Sequence, residues 1–442
     1  MAGKKFDTTA LSPLRGHGAA PAPKVRGLAR VHSETDGAAM EWFVLDTRRR
    51  TIGREPGVDR IAIDDPEASR KHAEVEYVAD SDVYRVRDLE SRNHTYLDGQ
   101  KVESDYLLPG SVIRIGGTLF VYAEAILDTG VVVFEPETGV ALSRSRAERL
   151  IDVAAKSALP IMIRGPTGAG KELLAQRAHK ASGRKGPLVS VNCATFSKEL
   201  LASELFGHTQ GAFSGAQTAR SGLFVSAAGG TLFLDEIAEL PLEQQPALLR
   251  ALQEGKVRPV GSDKEIPVDV RVITASHRTL DAEVASGTFR ADLLGRLAGF
   301  RVELPGLNER REEVLSLFSR FGPELPPLAS ASAELLVRHG WPLNVRELKH
   351  LAERLKLLAS HAARIEPEML PDDIRRALAS SGGGDTSAAD DEAPSKAQME
   401  KLLAEHGGNV AQVARAIGRH RQQLYRWLKK YDLDPIKYRP PE

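Results

Sequence analysis

At 442 residues, with 42% hydrophobic and 27% charged residues, the chain has room for about three globular domains. Sixty basic residues offset sixty acidic ones, so no whole-chain attraction to nucleic acid follows and any basic face must be local. One cysteine, Cys193, excludes an internal disulfide; with no run of 18 apolar residues and no apolar segment after Met1-Ala2-Gly3-Lys4-Lys5, a cytoplasmic protein is expected.

Residues 1 to 28 are Ala, Pro, Gly and basic residues without periodicity, and are expected to form a disordered tail. From residue 29 to 125 short alternating runs take over. Ala73, Val75 and Tyr77 alternate with Glu74 and Glu76, and Tyr84 and Val86 with Arg85 and Arg87. Asp98-Gly99 between such runs signals a tight hairpin. Short strands with a turn every ten residues or so predict an all-β sandwich. Three polar clusters stand out: Gly53-Arg54, Ser69-Arg70-Lys71-His72 and Ser91-Arg92-Asn93-His94-Thr95. Arg54 and Arg70 offer charge-assisted donors to a dianionic phosphate, and Ser69 adds a hydroxyl. In these residues the segment resembles forkhead-associated (FHA) domains, which bind phosphothreonine peptides on loops at one end of a sandwich. The resemblance implies that Asn93 holds the peptide backbone and that His72 braces the Ser69 loop. It implies a phosphothreonine-containing protein or a Ser/Thr kinase as partner. Where the family has Asn-Gly, this chain has Asn93-His94, so the turn must accept a side chain.

Residues 140 to 307 alternate helix and strand patterns, which predicts an α/β core around a parallel sheet. Ser143 to Ala155 is helical, and the apolar run Leu159–Ile163 leads into Gly165-Pro166-Thr167-Gly168-Ala169-Gly170-Lys171-Glu172. Strand, glycine loop and helix form the context of a phosphate-binding loop, in which backbone N–H groups face phosphate oxygens and Lys171 reaches the β- and γ-phosphates. Glu172 stands where a Ser or Thr is usual. The apolar run Leu232-Phe233-Leu234 then ends in Asp235-Glu236, placed to hold Mg²⁺ and to polarise an attacking water, respectively. An ATP site is therefore expected. Residues 308 to 379 carry helix patterns only and read as a helical lid.

Between the two phosphate-site segments lies Glu204-Leu205-Phe206-Gly207-His208, followed by Gly211-Ala212-Phe213-Ser214-Gly215-Ala216. With these residues the region from about 140 to 379 resembles the AAA+ domain of bacterial enhancer-binding proteins, the activators of sigma-54 RNA polymerase. The family's loop is Gly-Ala-Phe-Thr-Gly-Ala, so Ser214 keeps the hydroxyl, and the resemblance implies that Gly211–Ala216 contacts sigma-54 through Phe213. It further implies that Asn192 restrains Glu236, and that Arg290 and Arg296 reach a neighbouring subunit's nucleotide. Arg346, in Trp341-Pro342-Leu343-Asn344-Val345-Arg346, would be a nucleotide sensor in the lid. A homo-oligomer, by resemblance a hexamer, follows. The chain departs from the family at Pro166 (usually acidic), at Ser276-His277 (usually Thr-Asn) and at Leu294-Gly295 (a Tyr pair).

Residues 380 to 394 are small, polar and acidic and read as a linker. Residues 395 to 442 carry helix, turn and helix patterns with ten Lys/Arg against five Asp/Glu from Lys396 onward, which reads as helix-turn-helix. Leu424-Tyr425-Arg426 and Leu428-Lys429-Lys430-Tyr431 resemble the Fis-type module of the same activators. Arg419, Arg421, Gln422, Gln423 and Arg426 are the candidate DNA contacts, Arg suiting guanine and Gln adenine.

Together these readings imply a sigma-54-dependent activator that binds upstream DNA and uses ATP hydrolysis to remodel the closed promoter complex. Two alternatives stay open at this point. One is a DNA-bound phosphopeptide adaptor or repressor with a weak or vestigial ATPase; the other is an active ATPase directed at another partner.

Overall fold

The computed structural model describes residues 24–35, 40–79, 82–126, 142–195, 198–212, 216–376, 394–408 and 410–417, with single positions and short stretches from 424 to 438. By internal contacts it forms two units. One contains Met1–Val140, Asn308–Gly340 and Lys349–Glu442; the other contains Ala141–Leu307 and Trp341–Leu348. Among the described residues no helix is long and apolar enough to cross a membrane.

The first unit opens with a two-sheet β-sandwich. Its strands are β1 (Lys24–His32), β2 (Glu41–Leu45), β3 (Arg50–Gly53), β4 (Arg60–Ala62), β5 (Ala73–Val78), β6 (Val83–Asp88), β7 (Thr95–Leu97), β8 (Gln100–Val102), β9 (Ser104–Leu107), β10 (Val112–Ile115) and β11 (Thr118–Ile126). One sheet runs β2-β1-β11-β10-β7-β8 and the other β4-β3-β5-β6-β9. The inward residues that the alternation singles out, Ala73 and Val75 on β5 and Tyr84 and Val86 on β6, join Leu28, Ile52, Leu97, Ile113 and Phe120 in one core. Asp98 (φ 49°) and Gly99 (φ 77°) form the two-residue turn between β7 and β8, both left-handed as such a hairpin needs.

The sandwich starts earlier than the sequence suggests. Strand β1 begins at Lys24, inside the stretch expected to be a tail, and pairs with β11 from Lys24↔Ile126 onward. Val25 and Leu28 are buried, and Gly27 lies so close to Trp42 that a Cβ there would sit 2.7 Å from its ring. Two basic residues and a glycine hid the alternation of a strand whose partner is almost a hundred residues away.

The second unit holds a five-stranded parallel sheet, in the order β13-β16-β19-β12-β20: β12 (Ile161–Arg164), β13 (Leu188–Asn192), β16 (Thr231–Asp235), β19 (Arg271–Ser276) and β20 (Phe300–Glu303). Its strands alternate between two cores. Ile161, Ile163, Phe233 and Ile273 face helices α1 (Leu142–Ala155) and α2 (Lys171–Ser182). Met162, Leu232, Leu234 and Val272 face the other side, where helices α3 (Lys198–Phe206), α4 (Leu223–Ser226), α5 (Gln245–Glu254), α6 (Leu280–Ala285) and α7 (Ala291–Leu297) contribute. Burial on both faces is what an all-parallel sheet requires. Two short hairpins interrupt the alternation: β14 (Gly207–His208) with β15 (Arg220–Ser221), and β17 (Lys256–Val257) with β18 (Ile266–Pro267). Buried Arg271 fixes the end of α1, donating from Nη1 to the Ala155 carbonyl and from Nη2 to that of Ala154.

Residues 308 to 340 and 349 to 376, in the first unit, form the small helical domain that the patterns predicted, with α8 (Val314–Phe321) and α9 (Ser330–Arg338) packed together. Helices α12 (Lys396–Glu405) and α13 (Val410–Ala416) follow the α10 helix (Asn344–Leu358) and the short α11 helix (Asp372–Arg376). Ser395 caps α12 with a reciprocal Ser395–Gln398 capping box. Met399, Leu403, Val410, Val413, Leu424, Trp427 and Leu428 make their shared core. The candidate DNA contacts Arg419, Arg421, Gln422, Gln423 and Arg426 lie outside the described residues, as do most of the 380–394 segment and residues 1–23.

Candidate functional site

The phosphate loop leaves β12 at the carboxyl edge of the sheet, where ligands gather in open α/β folds. Gly165 donates to the Ser276 carbonyl at the end of β19, and a Cβ on Gly165 would stand 2.7 Å from the Leu304 carbonyl oxygen. Gly168 (φ 76°) is held as tightly: a Cβ there would lie 2.2 Å from the Leu343 carbonyl oxygen. Gly170 (φ 105°) turns the chain into α2, whose first residue is Lys171. The Lys171 side chain is 6% exposed, with Nζ 3.1 Å from the Gly165 carbonyl and 3.5 Å from that of Pro166. The result is a desolvated cation inside a ring of glycine backbone, which fits a polyphosphate. Glu172 points away into solvent.

Asp235 ends β16, beside Asn192 at the end of β13. Burial is the main reason that the Asp235 carboxyl is pushed above its usual value, with Glu236 adding to it and Lys171 opposing. A half-buried carboxylate short of positive charge, next to a phosphate cradle, fits a hard divalent cation such as Mg²⁺.

Glu236 follows in the left-handed region (φ 51°). Its Oε1 lies 3.4 Å from Lys171 Nζ, and its Oε2 lies 2.6 Å from His277 Nδ1. Burial alone would raise the Glu236 pKa; the His277 hydrogen bond and the Lys171 charge outweigh it and leave the carboxyl below its ordinary value. His277, one of the departures noted in the sequence, is thus the residue that grips Glu236. Asn192, expected to hold Glu236, instead accepts from the Ala194 N–H at 2.9 Å and caps the turn after β13.

Asn344 was missed by the sequence reading. It is 4% exposed, donates from Nδ2 to the Thr167 carbonyl (3.0 Å) and accepts from Leu307 N–H (2.7 Å). Val345 N–H donates to the Gly168 carbonyl. These bonds bring Arg346 to the phosphate loop, its Cβ 3.2 Å from where a Cβ on Gly168 would be. The left-handed φ of 55° at Asn344, at the start of a helical pattern, is the signal that could have marked it.

Arg290 and Arg296 flank α7. Arg290 makes a two-pronged ion pair with Asp292 (2.7 and 3.0 Å), and its backbone N–H donates to Gln245 Oε1. Fully buried Gln245 also donates to the Leu240 and Thr288 carbonyls. Arg296 donates to the carbonyl of Leu252. Both residues are exposed on the surface.

The hairpin β14–β15 roots the Phe213 loop. Gly207 approaches Gly222 so closely that a Cβ on it would lie 2.8 Å from the Gly222 nitrogen. His208 is fixed by Ser203 Oγ (2.6 Å) and by the Thr218 carbonyl (2.9 Å). Glu204 pairs with Arg220, and the Gly211 N–H donates to the Ala216 carbonyl to close the loop. The second hairpin braces this root: Val260 bridges His208, and a Cβ on Gly261 would lie 2.9 Å from that of Ala212. Phe213, Ser214 and Gly215 lie outside the described residues.

On the sandwich, the candidate phosphopeptide residues share one loop cluster. Arg54 Nε donates to the Ala68 carbonyl (2.6 Å), Asn93 Nδ2 to the Glu67 carbonyl (2.8 Å), and Ser69 Oγ accepts from Arg92 N–H. Arg70 is exposed beside them. Buried His72 joins the loops: Nδ1 accepts from Ser69 N–H, so Nε2 carries the proton and donates to the His94 carbonyl. Burial holds the His72 pKa below its ordinary value. His94 takes the left-handed φ (60°) that a glycine would otherwise supply.

Family models match four segments: "Sigma-54 interaction domain" over residues 140–303, "FHA domain" over 50–116, "AAA+ ATPase lid domain" over 309–386 and "Bacterial regulatory protein, Fis family" over 395–431. The chain is similar to the nitric oxide reductase transcription regulator NorR1 of Cupriavidus necator (41% identity over 63% of this chain and 60% of the relative). It is also similar to the transcriptional regulatory protein GlrR of Escherichia coli (39% over 65% of this chain and 66% of the relative). Among solved structures it resembles NtrX of Brucella abortus in complex with ATP, at 32% identity and TM-score 0.51, covering 66% of this chain and 69% of that one. It spans about two thirds or less of the length of these curated relatives.

Proposed function

Since the chain belongs to the sigma-54-dependent activators, a family of AAA+ transcription regulators, we propose that it hydrolyses ATP to remodel sigma-54 RNA polymerase at a promoter. The observation that carries this is the meeting of Lys171, at the start of α2, and Glu236, 3.4 Å apart, with Asp235 ending β16 directly before Glu236 at the carboxyl edge of the sheet. Bound nucleotide supplies the phosphoanhydride bond; Asp235 would hold a Mg²⁺ ion, which would supply charge neutralisation on the phosphates. Lys171 and the loop N–H groups orient the phosphates. Glu236, held ionised by His277 and Lys171, orients and deprotonates the attacking water once released from that grip. Arg290 and Arg296 of one subunit face the nucleotide of the next in a ring of the hexameric kind, and Arg346 reports its occupancy. The braced Gly211–Ala216 loop presents Phe213 to sigma-54.

The terminal helices bind DNA upstream of the promoter through Arg419, Arg421, Gln422, Gln423 and Arg426. The sandwich binds a phosphothreonine through Arg54, Ser69, Arg70 and Asn93, so that a Ser/Thr kinase controls the output. A vestigial ATPase is disfavoured by the intact Lys171–Asp235–Glu236 set. The test is capture of sigma-54 by the protein with ADP and a metal fluoride: capture that is retained in Phe213→Ala, or absent in the unaltered protein, overturns the remodelling reading. A degenerate phosphothreonine peptide library decides the second part, which fails if phosphorylated peptides bind no better than unphosphorylated ones.

A further inference from the structure

Helix α9 is amphipathic by sequence, yet nearly every residue on it is buried, including Ser330, Ser332, Glu334 and Arg338. Its apolar face packs on the lid, and its polar face is covered by strands β10 and β11 of the sandwich, within the same unit. The cover is specific. Arg114 Nε on β10 donates to Glu334 Oε2 at 2.9 Å, with Glu334 7% exposed, and Glu334 Oε1 also meets Arg338. Arg338 lies against the Asp98–Gly99 turn, where a Cβ on Gly99 would fall 2.0 Å from its Nη1. Ser330 Oγ sits between the Gly117 carbonyl (2.8 Å) and Glu34 Oε1 (2.9 Å), and Glu34 pairs with Arg364 of the lid. Hydrogen bonding from Ser330 is the main reason that the Glu34 carboxyl lies below its usual value. Arg311 donates to the Gly110 carbonyl, closing the other end of the seam.

The same β10–β11 turn is wired to the phosphopeptide loops. Buried Asp65 accepts from Gly117 N–H (2.9 Å) and Thr118 Oγ1 (2.8 Å) with one oxygen, and from Glu67 N–H with the other. The Glu67 carbonyl is in turn held by Asn93. A peptide that draws Asn93 onto its own backbone removes that bond, and the disturbance passes through Glu67 and Asp65 to the turn that touches Ser330.

We propose that the polar face of α9 is a docking surface for the sandwich, that this seam restrains the lid and lowers ATP turnover, and that phosphothreonine binding loosens it through Asp65. The proposal rests on the phosphothreonine reading for its trigger, but the seam itself does not. A lid that reorients during turnover loses that freedom when one helix is fixed from both sides. Linkage fixes the reciprocal: whatever factor peptide binding gains by loosening the seam, a broken seam returns as tighter peptide binding.

Gly117 offers the cleanest intervention. A Cβ there would meet Glu34 Cγ at 2.9 Å and Ser330 Oγ at 3.0 Å, while its backbone needs no left-handed φ. In the full-length protein, Gly117→Val should wedge the seam, raise peptide-free ATP turnover about fivefold or more and tighten peptide binding. The pair Gly117→Cys and Ser330→Cys, oxidised with diamide, should do the opposite: turnover stays low when the best library-selected phosphothreonine peptide is added, and reduction restores the response. Cys193 does not interfere, since burial pushes its thiol up to about 12. Unchanged peptide-free turnover in Gly117→Val, or full peptide activation of the oxidised pair, overturns the seam. If no phosphothreonine peptide binds at all, the trigger fails, while the wedge and the oxidised pair still decide whether the seam restrains the ATPase.

Discussion

Two regions of this chain are proposed to meet a phosphate, and their side chains are arranged in opposite ways. At the carboxyl edge of the parallel sheet, the cation is a single lysine buried to 6% exposure and surrounded by backbone that tolerates no side chain. On the sandwich, the cations are exposed loop arginines, Arg54 tied by one bond to the Ala68 carbonyl and Arg70 beside it. The first arrangement is fixed before its ligand arrives, as chemistry on a phosphoanhydride demands. The second leaves the guanidinium groups accessible and lets neighbouring loops respond to occupancy, as a recognition site demands.

The contrast can be broken at its strongest point first. If each acts on a neighbour's nucleotide as proposed, Arg290→Ala or Arg296→Ala should lower ATP turnover by about 10³-fold or more while leaving nucleotide binding to the isolated subunit intact. Mixing either variant with Glu236→Gln subunits should partly restore turnover, as measured by phosphate release. Glu236→Gln alone should cost about 10²- to 10⁴-fold in kcat with little change in nucleotide affinity. Arg54→Ala on the open site should weaken phosphothreonine peptide binding by about 10- to 100-fold in calorimetry, with ATP binding unchanged. Gln245→Ala should lower kcat more than it raises KM, since its side chain seats the Arg290 backbone and ties it to the Leu240 and Thr288 carbonyls.

The smallest effect is a pH dependence. His32 and His72 both have pKa values lowered mainly by burial, so the unfolded chain takes up protons that the sandwich refuses. Their contribution to stability is present above about pH 6.5 and is lost as the pH falls through that value toward the lower folded-state one. Thermal melts at pH 7.5 and 5.5 should show this loss, and His72→Gln should reduce it. An unchanged difference would place the protonation elsewhere.

Much of the candidate site was legible because its residues lie close together in sequence. The phosphate loop, the paired carboxylates of β16 and the Asp98–Gly99 turn each carry their signal within a few residues. What escaped depends on partners far along the chain. Strand β1 is recognisable only against β11. Asn344 gains its role by reaching Thr167, 177 residues away, and His277 by reaching Glu236. Asn192 shows the converse: a residue in the expected place on β13 spends its carbonyl oxygen on a neighbouring turn. The second hairpin was also unread, since Gly261 and Val260 matter only through the loop root they brace.

Helix α5 gives the arginines a common footing. Gln245 in its first turn holds the backbone of Arg290, Leu252 in its last turn holds the guanidinium of Arg296, and Gly255 carries it directly into β17. A load on either arginine therefore falls on one helix whose far end continues into the hairpin that meets His208 and Ala212.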